Sequence, residues 1–221
     1  MNERTDRGRF VSFEGGEGVG KTTQVKLLAQ RLSNLNVKVQ ITREPGGGKI
    51  GELLRQILKQ SSEIDPFCEL LLIFAARRDH FVKFIQPWMG EGYIVLCDRF
   101  YDSSLVYQGL LRGIPIEDIM ELKRITIGDF EPDLTIILDA DIDVSISRIM
   151  ERSSTNDRYD RMDRQEYSII RRGFCQLAEI FSFRSVLINA KGSVNVVSSR
   201  IWKEFDKRIK FQPIINPPWL E

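Results

Sequence analysis

Short apolar runs alternate with longer stretches of helical spacing along this chain. Phe10-Val11-Ser12-Phe13, the alternating Val37-Lys38-Val39-Gln40-Ile41, Gly92–Cys97, Leu134–Leu138 and Ser185–Ala190 have the length and composition of strands. Leu134–Leu138 is apolar throughout, as a parallel strand covered on both faces must be. Between them, Val25, Leu27, Leu28, Ala29 and Leu32 repeat at helical spacing, as do Ile50, Leu53, Leu54, Ile57 and Leu58. Further helices are predicted over 66–89, over Ile116–Ile127 with a stop at Gly128, and over 194–209. The alternation predicts an α/β fold with a five-stranded parallel sheet flanked by helices, in one domain over residues 1–221.

The turn between the first strand and the first helix carries the clearest chemistry. Phe10–Thr23 reads FVSFEGGEGVGKTT, and Gly15, Gly20, Lys21 and Thr22 satisfy the G-x-x-x-x-G-K-[ST] spacing of a phosphate-binding loop. Glycines at 15, 16, 18 and 20 allow backbone angles that let main-chain N–H groups close around phosphate oxygens. Lys21 brings a mobile charge for the β- and γ-phosphates, and the Thr22 hydroxyl suits a magnesium ion. Glu17, Val19 and Thr23 complete the predicted nucleotide-binding segment. A glycine-rich turn with an accidental lysine would lack the flanking strand and helix.

Composition narrows the partners. The chain has 221 residues with 32 basic and 31 acidic side chains, so it has no broad positive field for nucleic acid or anionic membrane, and a small-molecule substrate is expected. The longest apolar run, Leu70–Ala76, is too short to span a bilayer. Cys68, Cys97 and Cys175 are odd in number and sit in apolar patterns, which reads as reduced core thiols in a cytoplasmic protein.

Other candidates stand at predicted strand ends, where ligands sit in open parallel sheets. Arg43, in Thr42-Arg43-Glu44-Pro45, is an anion contact beside a phosphate loop, although a solvated loop charge would look the same. Asp98 and Arg99 follow the Gly92–Cys97 strand, the acid suited to magnesium and the arginine to a phosphate. Arg77 and Arg78 follow a very apolar turn, so one is expected to emerge into water and the other to face a cleft. His80, the sole histidine, reads as structural or surface. Asp139 and Asp141 could be helix caps. Between Val144 and Arg172 the charge density is high, and Ser153–Asp157 interrupts the helical pattern, the layout of an arginine-bearing lid at about 148–160. The proline-rich tail 211–221 suggests no role.

Taken in order, FEGGEGVGKTT, TREPGG at 42–47, DRFYDSSLVYQG at 98–109 and PDLTIILDAD at 132–141 closely resemble the bacterial thymidylate kinases from Phe10 to about Ile209. The resemblance implies a P-loop NTPase fold, and transfer of the γ-phosphoryl of ATP to dTMP with Mg²⁺, a step in dTTP synthesis. It implies that Lys21 and Thr22 serve ATP and metal. Arg43, Arg55 and Arg99 match positions around the acceptor phosphate, and Glu17 matches one facing the deoxyribose 3′-hydroxyl. Ser104 and Gln108 match base-contacting positions, and Tyr107 one that crowds the sugar's 2′ carbon. With Arg77 as the base-binding arginine, either Phe74 or Ile73 lies against the base. Arg148, Arg152 and Arg158 match lid arginines that stabilise the transferring group. A homodimer is also implied, with helices near 66–89 and 102–125 as candidate interface.

Overall fold

The computed structural model describes residues 7–60, 64–151 and 162–211. Five strands, β1 (Arg9–Glu14), β2 (Val39–Arg43), β3 (Ile94–Asp98), β4 (Leu134–Asp139) and β5 (Ser185–Asn189), form one all-parallel sheet in the order β2-β3-β1-β4-β5. The helices are α1 (Lys21–Asn34), α2 (Lys49–Gln60), α3 (Pro66–His80), α4 (Gln86–Gly90), α5 (Tyr101–Ser104), α6 (Ile116–Ile127), α7 (Ile142–Met150), α8 (Arg164–Ile180) and α9 (Val194–Arg208). No described helix is long and apolar enough to cross a membrane.

Helices cover both faces of the sheet, which is why its central strands are apolar without alternation. On one face Val11, Phe13, Leu96 and Ile136 pack with Leu28 and Leu32 of α1 and Ile201 and Phe205 of α9. On the other, Phe10, Val95 and Ile137 pack with Leu70 and Phe74 of α3, Ile119 of α6 and Phe174 of α8. The edge strand β2 is only half covered, and Ile41 is exposed despite its place in an apolar alternation.

Register brings the chemistry together. Pairing of Phe13 and of Arg43 with Asp98, and of Glu14 with Ile137, aligns the carboxyl ends of four adjacent strands. The loops that leave those ends carry the phosphate loop, Glu44 and Arg99, and Asp139 closes β4 beside them.

The helix expected over 66–89 starts at Asp65, whose side chain accepts from the Cys68 N–H, with Pro66 in the first turn. It changes to π-helical hydrogen bonding at Phe81–Ile85 before ending in α4. Cys68 is exposed, not a core thiol, because it lies on the outer side of that first turn, whereas Cys97 is buried in β3. Neither Asp139 nor Asp141 caps a helix with its side chain: Asp139 takes a two-point hydrogen bond from Arg171 and Asp141 an ion pair with it, tying β4 to α8.

A buried ion pair braces the sheet behind α5. Arg184, 3 % exposed, donates to both oxygens of Asp102 at 2.7 and 2.8 Å, to Thr135 at 2.6 Å and to the Tyr101 hydroxyl at 2.7 Å. Three elements, β4, α5 and the entry to β5, are thereby joined under the residues that line the site.

Candidate active site

The phosphate loop leaves β1 at Glu14 and enters α1 at Lys21. Gly18 has φ 73°, and a Cβ there would stand 2.3 Å from the Ser145 carbonyl oxygen, so both its angle and its contact with α7 require glycine. Lys21 donates to the carbonyl oxygens of Gly15 and Gly16 at 3.0 and 2.7 Å. Burial, with the positive charge of Arg99 adding to it, pushes the Lys21 pKa down to about 8. An anion placed in the loop would reverse that, since an opposite charge favours the ammonium form.

Thr22 Oγ1 donates to Asp98 Oδ2 at 2.5 Å. A hydroxyl and a carboxylate from two elements thus converge beside the loop, and oxygen donors of this kind fit Mg²⁺, which is held by few protein ligands and completed by phosphates and water. The cleft around them has a volume of about 540 Å³ and is walled by Glu17–Gln24, Arg43, Arg55, Asp98, Arg99 and Arg148. Arg148 Nη1 points to the Gly18 carbonyl oxygen at 3.5 Å. Arg152 and Arg158, with most of the expected lid, lie outside the described residues.

Arg99 stands between this cleft and a second pocket. Its φ of 72° is a left-handed value that a non-glycine residue rarely takes. Glu14 secures the turn: its two oxygens accept from the Phe100 N–H at 2.7 Å and the Ser103 hydroxyl at 2.6 Å. Arg99 in turn donates to the Gly15 carbonyl and Ser103 Oγ through Nη1, and to Glu17 at 2.5 Å and the Tyr107 hydroxyl at 3.1 Å through Nη2. Burial opposes its charge, yet Glu17 and its neighbours raise its pKa, so it stays cationic. Glu14 is fully buried, and burial together with the negative charge of Asp102 pushes its carboxyl up to about 8.

The second pocket is lined by Glu17, Arg55, Ile73, Arg77, Arg99, Ser104, Tyr107 and Gln108, among others. Arg77, 3 % exposed, is held at three points: Nε donates to Glu44 at 2.6 Å, Nη1 to Ser104 at 3.2 Å and Nη2 to the Phe100 carbonyl at 3.3 Å. Glu44 also meets His80 Nδ1 at 3.0 Å, and His80 Nε2 lies 2.6 Å from Thr42 Oγ1. His80 is therefore an interior bracket, not a surface residue. Gly47 closes over it with φ 73°, where a Cβ would come within 2.3 Å of its Nε2. Arg78 faces outward and donates to the Thr126 carbonyl.

Ile73, not Phe74, lines this pocket from α3, with Pro45, Leu58 and Phe100 as its other apolar lining. Phe74 is 1 % exposed and sits behind Arg77, its ring centroid 4.5 Å from the guanidinium carbon. One residue along a helix turns the side chain by about 100°, which suffices to move it from pocket to core. Arg43 lies at the mouth of the larger cleft with both its contacts on Glu52, at 2.9 and 2.8 Å.

Sequence reasoning assigned no role to Glu14, Glu44 or Glu69. Each had a visible signal: Glu14 ends an apolar strand, Glu44 precedes a proline between two predicted site segments, and Glu69 interrupts an apolar helix face. Acids in such places must find partners when buried, and the partners here are site residues.

The family model described as thymidylate kinase matches residues 13–201. The chain is 41 % identical over 207 residues to a thymidylate kinase of Bradyrhizobium sp. (strain ORS 278), covering 92 % of each chain. It is 42 % identical over 204 residues to one of Magnetococcus marinus, covering 91 % of this chain and 97 % of that one. The crystal structure of thymidylate kinase from Ehrlichia chaffeensis superposes with a TM-score of 0.75 at 35 % identity, over 90 % of this chain and 99 % of that chain. Likeness that runs from the first strand into the last helix, in sequence and in backbone alike, establishes that the chain belongs to the thymidylate kinase family.

Proposed function

We propose that this chain transfers the γ-phosphoryl group of ATP to the 5′-phosphate of dTMP, giving ADP and dTDP, in the cytoplasm. One observation carries the reading: the phosphate-loop cleft and the pocket under Arg77 share Glu17, Glu44, Arg55 and Arg99 as a common boundary. A donor phosphate in the first and an acceptor in the second would meet at that boundary.

The acceptor phosphate is a dianion and needs no strong base. Its oxygen forms a bond to the γ-phosphorus as the bond to the bridging oxygen breaks, and the electron pair leaves on ADP. The protein's task is to hold two anions in line against their repulsion. Lys21 and the loop N–H groups hold the donor, while Arg99 and Arg55 hold the acceptor. Arg99 exchanges its bond to Glu17 for the phosphate, which frees Glu17 for the sugar hydroxyl. Arg148 approaches from α7. Thr22 and Asp98 would hold Mg²⁺, which would supply positive charge against the phosphate anions. Tyr107 stands against the sugar and Arg77, Ser104, Gln108 and Ile73 around the base.

A homodimer is part of the same proposal. Phe67, Leu71, Leu72 and Val82 leave large apolar side chains in solvent along 66–85, and a dimer would cover them.

The test is ADP release from ATP and magnesium with dTMP, dUMP, dCMP, dGMP and AMP offered singly. Strong release with dTMP, weaker with dUMP and little with the others is the expected result. Equal release without any acceptor would replace the kinase with an ATPase.

A further inference from the structure

Resting on the reading of the second pocket as the acceptor's base site, we infer that Glu69 is the residue that makes this pocket select an imide-bearing base, by fixing which end of the Gln108 amide faces it. Glu69 lies on α3 with its carboxylate fully buried, 0 % exposed, and Gln108 Nε2 donates to its Oε1 at 2.8 Å. A carboxylate accepts hydrogen bonds and has none to give, so only the NH₂ end of Gln108 can face it. The alternative rotamer would turn the amide oxygen toward Glu69 Oε1 and lose that hydrogen bond.

The consequence lies on the other side of the amide. Gln108 is 3 % exposed and what remains open lines the pocket, and its Oε1 has no hydrogen-bond partner among the described residues. Arg77 lines the same pocket and can only donate. The base edge is therefore met by a donor and an acceptor side by side. A pyrimidine with a carbonyl next to a ring N–H, as in thymine or uracil, satisfies both. Cytosine presents the inverse, an amino group next to a bare ring nitrogen, and both contacts would fail.

Helix geometry explains why the acid must come from position 69. Glu69, Ile73 and Arg77 succeed one another at four-residue steps, so they share one face of α3. Ser104 meets Arg77 and Gln108 meets Glu69, so the segment after β3 runs antiparallel to that stripe and touches both its ends. Glu69 is a positioning residue in this account: it acts on the nucleotide only through Gln108.

The experiment measures equilibrium binding of dTMP and dCMP by calorimetry, so that failure of the transfer reading, dTMP bound but not turned over, is told apart from failure of this one. Glu69→Gln keeps the shape but can donate as well as accept, which frees the Gln108 amide to turn. The ratio of dCMP to dTMP affinity is expected to rise on the order of 10- to 100-fold, the worth of one hydrogen bond to a charged group. In a Gln108→Leu background the same change at 69 should leave the ratio unmoved. An unchanged ratio in the single variant, or an equal shift in the Leu background, would overturn the inference. Should Glu69→Gln not fold, the unaltered protein still decides: dTMP methylated at N3 lacks the N–H, and binding it as tightly as dTMP would also overturn the inference.

Discussion

Arg77→Met tests how the second pocket, the proposed acceptor site, is held in shape. Arg77 and Glu44 are 3 % and 5 % exposed and meet at 2.6 Å, so the substitution leaves a buried carboxylate with only His80 at 3.0 Å to face it. Removing one partner of such a pair costs about 3–5 kcal/mol, chiefly because the remaining charge is stranded. At about 2–4 °C per kcal/mol for a chain of this size, the melting temperature should fall by roughly 6–20 °C.

The pH dependence gives the deficit its signature. Burial alone would raise the Glu44 carboxyl, but the Arg77 charge and the His80 hydrogen bond more than offset it and hold it below the ordinary value of 4.5. A depressed carboxyl contributes stability above the unfolded value that is lost as pH falls through the folded one. Without Arg77 the burial that raises the carboxyl is no longer offset by a guanidinium, so the loss in Arg77→Met should be largest at neutral pH and above and shrink as the pH falls, the stranded carboxyl taking up a proton at a higher pH than the paired one. Urea unfolding followed by circular dichroism measures both. The double variant Glu44→Gln/Arg77→Met should recover most of the loss, because no charge is then stranded. A cost under about 1 kcal/mol at neutral pH, the surface-pair range, would refute the reasoning, as would a double variant no more stable than the single one.

Three further outcomes follow from Glu14 and Ile73. Glu14→Gln removes one of the two acceptors that hold the turn at Arg99, and kcat should fall on the order of 10-fold while the KM for ATP stays close to its original value, because the loop itself is untouched. The raised carboxyl of Glu14 binds a proton in the folded chain that the unfolded chain releases, so the unaltered protein should lose stability as pH rises from 4.5 through about 8; Glu14→Gln should flatten that slope in urea titrations, and an identical slope would refute the burial argument. Ile73→Phe places an aromatic face on the pocket wall, and a gain of about 0.5–1.5 kcal/mol from ring stacking should lower the KM for dTMP by roughly 2- to 10-fold; a raised KM would show that the wall has no room for a ring.

The local sequence determined the strands, most helix limits and the phosphate loop, since each depends on the spacing of near neighbours and on the backbone freedom of glycine. It also marked Arg99, Ser104, Tyr107 and Gln108 as site residues, through motifs whose members lie close along the chain. What it left open turned on partners far apart. Whether Phe74 or Ile73 lines the second pocket was decided by the rotation of α3 against the sheet, and whether Arg77 or Arg78 faces inward by Glu44, thirty-odd residues away in the loop after β2. Glu14, Glu44 and Glu69 stand at places that the sequence marks as unusual, yet nothing local names their partners: a buried polar group takes its role from whichever group meets it, and here Ser103, Arg77 and Gln108 arrive from other elements. Parallel strands, joined by long crossovers, make such meetings a matter of tertiary structure: only the sheet's register puts Glu14, Arg43 and Asp98 at one edge.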